Sequence, residues 1–217
     1  LSNFDNMILG CNYFSYIDKN PTLFYPSNYP SDDHSIKSSF LFFPYMLFSS
    51  VCTRLSTITD QYQNPFDESL AGGIDYSFYS KYILRCTFSN LTEHLAFYRL
   101  TQDGITRSSY TRLRQLKTHA NISIKLLIDL IPALSIYDLE KHIWFLIFNY
   151  NHFRNLDLTS ELGTLHDLRA IIHSSHFFIE FISSHLTEAL IPSLDTSLIR
   201  STMTANFNSW LVSLNTI

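Results

Sequence analysis

Apolar residues recur every three or four positions along most of this chain, the spacing that keeps them on one face of an α-helix. The clearest such segment covers residues 164–192, where Thr164 stands at a cap-like position and Pro192 ends the pattern. Helices are likewise predicted over 5–18 and from Asp32 onward, and Asn90 with Glu93 resembles a capping box that opens a helix over 90–100. The pattern as a whole predicts an all-α fold, a compact multi-helix domain of about seven to nine helices.

A segment rich in proline and aromatic residues interrupts this pattern at about residues 20–31. Because proline does not continue a helix, we predict a linker here that separates an N-terminal helix from the main bundle. Residues 74–88 are ambiguous, since their apolar positions partly alternate; helix is favoured, with one short hairpin as the alternative. The chain contains no sequence repeat, so residues 1–217 are predicted to form a single all-α domain.

The composition is rich in large side chains, since the 217 residues include 18 Phe and 13 Tyr but only 5 Gly. Charged residues make up 16% of the chain, against roughly 25% in typical soluble domains. The net charge of −4 supplies no broad positive field for a nucleic-acid backbone. Nucleic acid is therefore disfavoured as a partner, and a protein partner or self-association is predicted.

The longest apolar run, residues 40–52, contains Pro44 and is shorter than the ~20 residues that span a bilayer. No transmembrane segment is therefore predicted. The three cysteines are widely spaced and suggest no disulfide framework. We expect an intracellular protein, cytoplasmic or nuclear, and leave open a targeting segment upstream of Leu1.

A polar row follows one side of the predicted helix over 164–192. Its members are spaced three or four residues apart, and they are His166, Arg169, His173, His176 and Glu180. Of these, His173, His176 and Glu180 resemble half of a bundle metal site. The facing ligands that such a site needs have no matching pattern elsewhere, and a solvated helix face is the favoured explanation of the row. No cofactor is predicted.

Two residues of this row support a different hypothesis. Arg169 and His176 resemble the arginine–histidine pair of the HEPN ribonucleases, an all-helical family. The resemblance implies a dimer that cleaves RNA without a metal, with Arg169 and His176 at the cleavage site. A further alternative is a regulatory helical domain that binds an apolar ligand in an aromatic-lined cavity.

Aromatic residues crowd two segments more densely than one helix face can hide. The residues predicted to form an interface are Phe40, Phe42, Phe43, Tyr45, Phe48, Phe177 and Phe181. The leading hypothesis is accordingly a non-enzymatic helical interaction or structural protein, a subunit of a homo-oligomer or of a larger assembly.

Overall fold

A computed structural model gives the fold of most of the N-terminal half of the chain. The residues that it describes are 6–18, 20–41, 44–59, 64–70, 72–101, 109–132, 197, 200, 201, 204 and 205. The chain divides into two compact units, Leu1–Ser108 and Ser109–Ile217. The predicted single-domain organisation stays a prediction, although the boundary between these units does not coincide with the segment at 20–31.

The first unit is built around a central strand, β1 (Met7–Ile17). β2 (Asn20–Pro26) and the short β3 (Cys52–Thr53) pair with it in antiparallel fashion. β4 (Thr87–Leu100) runs parallel to β1 along its whole length. Because a strand has two edges, β2 and β3 share one edge of β1 and β4 takes the other, which gives a mixed four-stranded sheet.

Helices fill the connection between the two parallel strands, as a parallel crossover requires. They are α1 (Asp33–Phe40), α2 (Leu55–Thr59) and α3 (Ile74–Tyr82), with a single 3-10 turn at Phe48–Ser50. In the second unit, α4 (Ser109–Leu130) is one continuous helix. None of the described helices is long and apolar enough to cross a membrane.

The core of the first unit lies between α1, α3 and the start of β4. The Phe40 ring stacks on Tyr79 at 5.0 Å and meets Phe88 edge-on at 5.0 Å. The Tyr76 hydroxyl donates a hydrogen bond to the Phe40 carbonyl (2.6 Å), so this buried phenol is satisfied. The aromatic residues that the composition shows in excess therefore form a cluster in this core.

The predicted all-α class, with its helical bundle, is wrong, because a sheet organises the first unit. The predicted N-terminal helix over 5–18 is β1, and the predicted helix over 90–100 belongs to β4. The first part of the predicted linker at 20–31 is β2. The helix favoured near 74–88 is confirmed as α3, without a hairpin. Four α-helices occur in the described part of the chain, against the seven to nine predicted for the whole.

The error has a physical cause in each strand. β1 has no exposed position on either face, and an apolar run with both faces covered does not differ in periodicity from a buried helix. In β4 the apparent capping residue Asn90 has another role. Its side-chain amide donates to the carbonyls of Pro30 (2.8 Å) and Tyr45 (3.0 Å), so it joins two loops to the sheet. The predicted helix over 164–192 lies outside the described residues.

Replacing Gly10 by alanine is expected to destabilise the first unit. A Cβ atom at this position of β1 would lie 2.5 Å from the Asn90 Oδ1 atom and 2.9 Å from the Met46 Cε atom. Overpacking of this kind costs about 1–3 kcal/mol of unfolding free energy. Urea denaturation of Gly10→Ala measures the loss, and Ser15→Ala, a small change at a more open site on the same strand, is the control.

A second prediction concerns Asp75 in the first turn of α3. Burial raises the pKa of its carboxyl above the ordinary value, so the folded state keeps this proton to a higher pH than the unfolded chain. The free energy of unfolding therefore falls as pH rises from the ordinary pKa of an aspartate to the raised pKa of Asp75. Asp75→Asn keeps an acceptor for the Tyr76 amide (2.9 Å) and removes the charge. We expect the variant to exceed wild type in stability at pH 7 and to approach it near pH 3 in urea titrations; an equal difference at both pH values would contradict this.

Candidate functional site

The strand register brings aromatic side chains together on one face of the sheet. Phe14 of β1 lies beside Phe97 of β4, and Tyr16 of β1 lies beside Phe24 of β2. The Phe14 ring is 5.9 Å from Phe97 and 6.2 Å from Phe24, and Phe24 is 5.6 Å from Phe97. We call these four residues, Phe14, Tyr16, Phe24 and Phe97, the aromatic face.

The end of β4 carries several exposed side chains. From residue 93 to residue 100 exposed and half-buried positions alternate, with Glu93, Leu95, Phe97 and Arg99 exposed. Leu95 is 64% exposed and Phe97 66%. The register shift between Asn12 and Tyr13 leaves Leu95 without a partner on β1, whereas Phe97 and Arg99 pair with Phe14 and Tyr16 and so lie on the aromatic face. Large apolar side chains grouped on a surface are typical of interaction sites.

His94 supports the aromatic face from one end. Its ring stacks on Phe14 at 4.6 Å, and its Nε2 atom lies 2.8 Å from the Ser27 carbonyl oxygen. Because a carbonyl only accepts, Nε2 must carry the proton and donate. The imidazole is thereby held as a structural link between β4 and the segment that follows β2.

Tyrosine hydroxyls form a second cluster, around Tyr13. The hydroxyls of Tyr13 and Tyr29 are 3.0 Å apart, and the Tyr98 ring meets Tyr13 edge-on at 5.9 Å. Burial raises the pKa of both Tyr13 and Tyr29, which keeps these phenols neutral at ordinary pH. A neutral phenol donates and accepts hydrogen bonds, so the cluster aligns β1, β4 and the segment after β2 without adding charge.

Few charges surround the aromatic face in the described part of the chain. Arg99 and Asp18 form an ion pair with an N–O distance of 3.7 Å, and their side chains are 60% and 53% exposed. An exposed pair of this kind contributes little to stability. Glu93 is a further exposed negative charge on β4. The neighbourhood therefore has no excess of positive charge with which to bind phosphate groups.

Three of the residues predicted for an interface are described, and they occupy different environments. Phe40 is fully buried in the core, Tyr45 is half-buried, and Phe48 is partly exposed with its ring 5.6 Å from Phe78. The structure does not bring these three into the aromatic face. The predicted residues that lie outside the described part are Phe42, Phe43, Phe177, Phe181, Arg169, His173, His176 and Glu180. Among the described side chains, no three His, Cys, Asp or Glu residues meet in a group that could hold a metal ion.

Leu95 and Phe97 are the surface residues that sequence reasoning missed. The sequence over 93–100 shows no alternation of polar and apolar residues that would mark a strand, and the alternation appears only in the exposure of the folded chain. The apparent capping box at Asn90 pointed to a helix instead. Comparison of the chain with family models, with curated proteins and with solved structures finds no match.

The exposure of Phe97 leads to a stability prediction. Phe97→Ser is expected to lower the unfolding free energy by less than about 1 kcal/mol, because most of this side chain contacts solvent in the folded state. Phe88→Ala, in the same strand but fully buried, should cost about 3–5 kcal/mol. Denaturant unfolding of the two variants tests the contrast, and a large loss for Phe97→Ser would show that the aromatic face serves packing instead.

Proposed function

We propose that this protein is a non-enzymatic interaction subunit that docks a protein partner on its aromatic face. One observation carries the proposal: Phe97, about two-thirds exposed, adjoins Phe14 and Phe24 in one apolar surface. Surfaces of this kind release ordered water when a partner covers them, and aromatic side chains are enriched at the centres of protein interfaces.

The chemistry of the surroundings favours protein over nucleic acid as the partner. A platform that stacks bases normally combines aromatic rings with a positively charged groove. The described charges beside the aromatic face are Asp18 and Arg99, one negative and one positive. A protein surface with apolar and mixed-charge groups complements this arrangement better than a phosphate backbone.

The strand edges favour docking on the face over addition of a strand. β2 contains Pro21 near its start and ends at Pro26, and proline lacks the amide that a new strand would need. The register between β1 and β4 shifts at Cys11/Asn12 and again at Asn12/Tyr13. Such bulges twist an edge and interrupt further pairing.

The alternative hypotheses draw no support from the described residues. Arg169 and His176, on which the ribonuclease hypothesis depends, lie outside them. The interaction function is therefore the one proposed for this chain.

The proposal predicts that the chain occurs in an assembly in the cells that make it. In native extracts, the wild-type chain should elute in size-exclusion chromatography with an apparent mass well above its 25.2 kDa. Phe97→Asp places a charge in the apolar surface and should shift the chain to lower mass, since burying an unpaired carboxylate in an interface is costly. Leu84→Asp is the matched control, because Leu84 is also largely exposed but lies outside the aromatic face.

Three profiles decide the matter: wild type, Phe97→Asp and Leu84→Asp, each shown by circular dichroism to be folded. A shift confined to Phe97→Asp supports the proposal. Monomeric elution of the wild-type chain, or an equal shift for both variants, would contradict it.

A further inference from the structure

We draw no further inference here: the strongest candidate, the aromatic face formed by β1, β2 and β4, belongs to the site already described, and nothing in the described part of the chain shows which protein covers it.

Discussion

The Asn90 side chain is the contact on which the first unit depends. Its amide nitrogen donates to the carbonyls of Pro30 and Tyr45, and its oxygen lies against Gly10. Three separate segments therefore meet at one carboxamide that is almost fully buried. Buried amides have few alternative geometries that satisfy them, so this contact specifies how the loops before and after α1 join the sheet. Its Oδ1 atom has no hydrogen-bond partner among the described residues and lies close to the backbone of Gly10.

The position of Asn90 has consequences at the other end of the same strands. Gly10 and Asn90 are opposite one another in the β1–β4 register, and after the two register shifts the same pairing places Phe14 beside Phe97. The shifts change which residues of β4 oppose β1. The aromatic face therefore depends on the bulges as well as on the residue types, because a slip by one residue would move its side chains to the opposite face.

The two ends of the sheet have different roles. Around the start of β4, Phe88 packs with Phe40 and Tyr79 in a closed core. Beyond the shifts, the end of β4 carries its large apolar residues into solvent. Exposed Leu and Phe side chains favour aggregation when nothing covers them, which supports the docking role proposed for this face. Proline in β2 and the bulges in β4 restrict strand addition at the edges.

The sequence by itself determined the start of α1, which has a local signal. Asp32 caps α1 by accepting from the Ser35 amide, and this start was predicted from the residue type. Local rules work there because a cap is satisfied within one turn. Only the tertiary structure decided that 7–17 and 87–100 are strands. Their helical spacing is compatible with either form, and the deciding energy comes from pairing between segments some eighty residues apart. The position of Phe97 beside Phe14 follows from that decision, because only the strand register brings these two residues together.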